Sequence, residues 1–169
     1  MRDLLEQIER GLGQNLYYLA LFGALSLPDI CGAVDSDNGE ADRSKYIRWF
    51  NEYVGDRYKY GERVFLSGDD CYYFRCALLH QGSSQHPKSG YARILFLEPG
   101  ATSNVLHCNV LNDALNIDVR IFCQDIIDGV RTWLGKVEGT PRFNTNMAKF
   151  IRRYPQGLSP YIGGVPVIG

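Results

Sequence analysis

Ser67-Gly68-Asp69-Asp70-Cys71-Tyr72-Tyr73-Phe74-Arg75-Cys76-Ala77-Leu78-Leu79-His80-Gln81-Gly82 decides how this chain is read. Ser67 followed three residues on by Asp70 is a capping box that opens a helix. Gly82 and Ser83 stop it. Within that helix stand Arg75 and His80, five positions apart. Arginine keeps its charge at any cellular pH, and histidine exchanges a proton near neutrality. A helix C-terminus favours the protonated imidazole, as a general acid would need. The two side chains together suit phosphate chemistry without a metal. At about 100° per residue, however, five residues set them about 140° apart. Bringing them together takes either a loosened last turn at Gln81-Gly82 or a second subunit across a two-fold axis.

Upstream, Leu4, Leu5, Ile8, Leu12, Leu16, Leu19, Ala20 and Ala24 recur at helical spacing and predict a helix over 3–25. Gly11 and Gly13 weaken it, and are read as places where another helix comes close. Ser26-Leu27-Pro28-Asp29 reads as a second capping box, opening a short helix that ends near Val34. A polar loop follows. A helix at about 41–54 carries Tyr46, Trp49, Phe50 and Tyr53 on one stripe, read as core with a ligand platform as the alternative. Residues 55–66 read as irregular or weakly extended.

Downstream, the period changes. Tyr91 to Leu97 is rich in strand formers, Glu98-Pro99-Gly100-Ala101 is a turn, and Asn104 to Val110 is the expected partner strand. A third extended piece is expected at Leu115–Ile117. Asp118 caps the clearest helix, with Val119, Phe122, Cys123, Ile126, Ile127, Val130 and Leu134 on one face and Gly135 at its end. Thr140-Pro141 starts a last helical region that turns Phe143, Met147, Phe150, Ile151 and Tyr154 inward and stops at Pro155. The tail, residues 156–169, reads as extended or flexible. The expected organisation is one globular domain over 1–155, followed by that tail.

The 169 residues carry a net charge of -1, so there is no global basic field to gather nucleic acid. RNA contact would need a local patch or a second chain. Five cysteines without C-x-x-C spacing fit neither a disulfide framework nor a zinc site and point to a reducing, cytoplasmic compartment. No signal peptide and no run long enough to span a membrane is expected. No phosphate-binding glycine loop, dinucleotide fingerprint or serine-hydrolase elbow is present.

Each candidate residue has a structural alternative. Arg75 could instead pair with Asp70 or Glu98, and His80 could bond the last carbonyls of its helix. Asp69 and Asp70 read as N-terminal capping residues more simply than as a metal pair. Tyr72 and Tyr73 either stack on a base or pack between helices. His86 is expected in solvent, and His107 on the outer face of its strand. No cofactor and no metal is expected, since the three histidines lack ligand spacing. Cys71 and Cys76 have no histidine placed to activate them.

Arg75-x-x-x-x-His80, late in a helix of a mainly helical domain, resembles the R-x(4–6)-H motif of the HEPN superfamily, and the segment at about 91–134 is similar to elaborated bacterial HEPN-like proteins. The resemblance rests on one helix. Position 76, commonly polar and often asparagine in active members, is Cys76 here. The resemblance implies a mainly α helical bundle with a small antiparallel hairpin inserted after the motif helix; the alternative is an α+β class. It implies a homodimer whose motifs meet in a cleft, and a metal-independent endoribonuclease of bacterial defence or stress response, working by 2′-hydroxyl attack. His80 would be the acid or base and Arg75 the phosphate clamp. Tyr72 and Gln81 are the expected substrate contacts. The other implied class is a non-catalytic interaction or scaffold domain, with a protein partner or antitoxin. A small-molecule site on the aromatic stripe is the third reading.

Overall fold

The computed structural model of the protein describes residues 1–100 and 103–169; the Ala101 end of the expected turn lies outside them. The chain runs α1 (Arg2–Gly13), α2 (Tyr17–Val34), α3 (Arg43–Tyr53), a 3-10 turn (Gly55–Tyr58), β1 (Lys59–Tyr60), β2 (Arg63–Val64) and α4 (Gly68–Gln81). Then follow β3 (Arg93–Leu97), β4 (Asn109–Leu111), β5 (Ala114–Asp118), α5 (Val119–Val137) and α6 (Pro141–Met147). Four short strands close the chain: β6 (Arg153–Tyr154), β7 (Gly157–Leu158), β8 (Ile162–Gly163) and β9 (Val167–Ile168). Among the described residues, six helices with small sheets make this an α+β protein rather than plainly the helical bundle expected first.

α2 is the central element. It packs against α1, α3, α4, α5 and α6, and its apolar residues lie on every side of it, as suits a helix with five neighbours, although Tyr18 and Leu19 in its first turn are exposed. The expected single helix over 3–25 is instead two. Asn15 takes a left-handed φ of 58°, and the Leu16 amide bonds back to the Gly11 carbonyl at 2.8 Å. Gly11 and Gly13 are not the tight contacts; a methyl on Gly23 would come within 2.9 Å of Ile8, so that glycine sets how closely α1 and α2 approach.

The second capping box is not a helix start. α2 runs straight through Ser26-Leu27-Pro28-Asp29. Pro28 donates no backbone hydrogen bond to the turn above it, while the Ser26 hydroxyl turns inward and donates to the Gly23 carbonyl at 2.7 Å. The unbroken helix spans 18 residues at mean hydropathy 1.4, long and apolar enough by length and composition to cross a membrane, with half of it buried inside the protein. The expectation that no such run exists is therefore corrected.

α5 follows the sequence closely. Its whole stripe from Val119 to Leu134 is buried, together with Trp133, and the Asp118 carboxylate accepts from the Arg120 and Ile121 amides. The helix continues past Gly135 to Val137. The sheet departs from expectation. β3 does not pair with the segment that follows it; it lies parallel to β5, and β4 pairs antiparallel with β5 on its other side. The hairpin is thus β4–β5, closed by Asn112 and Asp113 at φ 49° and 59°. Two left-handed residues of these types make the tight turn whose twist matches the strands. The last helix is shorter than expected, ending at Met147 and leaving Ile151 exposed. Tyr154, expected on that helix, lies instead in β6, which pairs with β9 of the tail, and the tail also forms the β7–β8 pair.

Candidate functional site

α4 holds the site, and both its ends are fixed by the residues that announced it. The Ser67 hydroxyl accepts from the Asp70 amide at 3.1 Å and donates to the Asp70 carboxylate at 2.6 Å. The other Asp70 oxygen accepts from the Gly90 amide at 2.8 Å, which ties the loop after α4 back to its start. Asp69 pairs with Arg43. At the far end Gly82 takes the left-handed cap conformation, φ 63°, and the Gly82 and Ser83 amides close on the Leu78 and Ala77 carbonyls.

Arg75 and His80 meet within one chain. Arg75 Nη1 lies 3.0 Å from His80 Nε2. The reach of the arginine side chain spans the angular offset, so neither a loosened turn nor a second subunit is needed for contact. A guanidinium only donates, so a hydrogen bond between these two atoms uses the Nε2 lone pair. The contact turns the imidazole toward the guanidinium. It also replaces the capping role for His80.

The partner of Arg75 is neither Asp70 nor Glu98. It is Asp29, from the middle of α2, with Arg75 Nη2 at 2.5 Å from Asp29 Oδ2. The side chains of Arg75 and Asp29 are 20% and 13% exposed, and Arg75 Nε is buried without a partner. Burial raises the Asp29 carboxyl above its ordinary value, while the charge on Arg75 pulls it back. Burial works against the Arg75 charge too, but Asp29 and Cys76 more than offset it and raise the guanidinium above its ordinary value. Cys76 Sγ lies 3.8 Å from Arg75 Nη1.

Asp29 is the residue that sequence reasoning missed as part of the site. Its signal was present: it is the lone charge among the residues of α2, and a carboxylate in an apolar core helix needs a cation.

Tyr72 is half-buried, edge-on to Tyr46 with ring centres 5.4 Å apart. Burial and the Cys76 thiol raise its hydroxyl above the ordinary value. Gln81 is exposed at the end of α4. His86 is not free in solvent: it stacks on Tyr73 at 4.6 Å and 15°. His107 does not face out either. It lies before β4, 5.5 Å from the Tyr58 ring, with Nδ1 buried and unpartnered. Burial lowers its pKa below the ordinary value, with Asp125 and Asp118 opposing. Among the described residues no group of three His, Cys, Asp or Glu is placed to hold a metal.

Chemically, the arrangement offers a fixed cation, an imidazole with Nε2 toward that cation, and a carboxylate against the guanidinium. Comparison with protein-family models, with curated proteins and with solved structures found no match to this chain.

Proposed function

We propose that this protein is a HEPN-like, metal-independent endoribonuclease of a bacterial defence or stress system. The observation that supports this reading best is the 3.0 Å contact between Arg75 Nη1 and His80 Nε2. His80 is exposed, so it can swing off the guanidinium. One motion then frees the Nε2 lone pair to take a proton and frees Nη1 to reach a phosphate oxygen. In the proposed step the 2′-hydroxyl gives its proton to His80 Nε2 and its oxygen bonds to phosphorus. The bond from phosphorus to the 5′-oxygen breaks, and that oxygen takes a proton from solvent, leaving a 2′,3′-cyclic phosphate. Arg75 stabilises the charge that builds on the non-bridging oxygens, and Asp29 keeps the guanidinium aimed while the substrate is absent.

The proposed assembly is a homodimer. Tyr18 and Leu19 on α2 are 77% and 67% exposed. Tyr18, Phe22 and Asp29 recur four and seven positions apart, on one stripe of that helix, so a two-fold contact there would bring two sites near each other.

A non-catalytic interaction domain is the second reading. The specific observation in its favour is that Asp29 already compensates the charge on Arg75, which leaves that side chain largely enclosed. Incubation with structured RNA in EDTA separates the two. Cleavage by the native protein, reduced about a hundredfold or more in Arg75→Ala and His80→Ala, supports the nuclease. Equal background cleavage by all three removes it.

A further inference from the structure

A cleft of about 640 Å³ lies between the loop that follows α4 and the β4–β5 turn, lined by Gln85, His86, Pro87, Tyr91, Val110 and Asp113 among others. It is separate from Arg75 and His80, but His86 connects the two through its stack on Tyr73 of α4. Arg43 lies 5.0 Å from the centre of the Tyr73 ring, and Lys88 Nζ lies 6.0 Å from it. Cation, phenol and imidazole thus form a short stack beside the cleft.

The walls are held in place. The Lys88 amide donates to His86 Nδ1 at 3.1 Å and sets that ring. Asp70 holds the Gly90 amide. The Tyr91 hydroxyl donates to the Phe65 carbonyl at 2.6 Å, and the Ala92 amide donates to the Asp113 carbonyl at 3.0 Å. A site assembled this way costs little to order when a ligand enters.

We propose that this cleft binds a nucleobase of single-stranded RNA. The base stacks on His86, and the Asp113 carboxylate, which carries no ion pair among the described residues, accepts from its amino group. This rests on the ribonuclease reading and adds where the strand is gripped. The chemistry favours a base with exocyclic N–H donors, guanine above all, over uracil. Tyr73 and His80 stand seven positions apart on one face of α4, about 10 Å along its axis. A strand whose base sits beside His86 therefore runs toward the Arg75–His80 contact, with Lys88 and Arg43 flanking its backbone.

The test titrates the ¹⁵N-labelled native protein with guanosine monophosphate and, separately, with ribose 5-phosphate, which has the sugar and phosphate but no base. The expected result is a shift of the Ser89, Gly90, Tyr91 and Ala92 amides with the nucleotide alone. Equal shifts with both, or none with either, overturns the proposal. A second arm measures binding of a labelled single-stranded RNA in a His80→Ala background, where His86→Ala should weaken binding at least about fivefold; unchanged affinity contradicts the stack. The two readings fail separately. Base-dependent shifts in a protein that does not cleave RNA keep the cleft and remove the nuclease, whereas cleavage untouched by His86→Ala, without shifts, does the reverse.

Discussion

At the residue scale, the site depends on a charge that a capping reading had explained away. Asp29 sits in an apolar helix with one cation in reach, and Arg75 sits in a polar helix with one carboxylate in reach. Removing either leaves the other enclosed and uncompensated. Asp29→Ala should therefore cost about 1–3 kcal/mol, and pairing it with Arg75→Leu should recover part of that loss; denaturant unfolding of the two singles and the double measures the coupling. His107 gives a pH prediction. Its folded pKa lies below the ordinary value of 6.5 because it is buried, so the unfolded chain takes its proton first. Its contribution to stability is present above about pH 6.5 and is lost as the pH falls through the lower folded value. The drop in melting temperature between pH 7 and 5.5 should be smaller in His107→Gln than in the native protein, and equal drops would contradict this. Arg75 and His80 were legible as residues. Their contact was not, because angular spacing on a helix counts Cβ directions and takes no account of the reach of a long side chain.

At the element scale, two helices that declare themselves locally formed as expected. α4 and α5 carry their own caps, α5 carries its apolar stripe as well, and both run from the predicted starts. The cap on α4 is also a lever on the site: Gly82 holds a left-handed conformation with open space around it, so Gly82→Ala is strained by its backbone alone. It should cost about 1–2 kcal/mol, read by thermal unfolding, and loosen the turn that carries His80. The sheet was the least legible part. The β3–β5 pairing is parallel and skips a strand, and nothing within Tyr91–Leu97 names a partner that lies beyond the next strand in sequence. The Asn112-Asp113 turn was the available clue to the β4–β5 hairpin. Likewise Ser26-Leu27-Pro28-Asp29 has the letters of a helix start, yet the burial of Leu25, Leu27, Pro28 and Cys31 in the core outweighs the hydrogen bond that Pro28 lacks.

At the scale of the whole molecule, one core joins the helices to the sheet, from Leu5 on α1 through Leu25 and Phe50 to Leu115 and Trp133. Trp133 is fully buried, and Trp133→Ala should cost about 3–5 kcal/mol by chemical denaturation, without altering residues that face the cleft. The near-neutral charge of the chain carries no information on where a ligand would sit; the stack of Arg43, Tyr73 and His86 exists only once α3, α4 and the following loop are assembled. The central claim is that Arg75 and His80 cleave RNA through its 2′-hydroxyl. Its most direct test is ³¹P NMR of a short RNA incubated with the protein in EDTA, beside the same oligonucleotide with 2′-deoxyribose at every position. The account predicts a 2′,3′-cyclic phosphate resonance from the RNA alone, missing with His80→Ala. Cleavage of the deoxy strand, or a cyclic product that persists without His80, would contradict it.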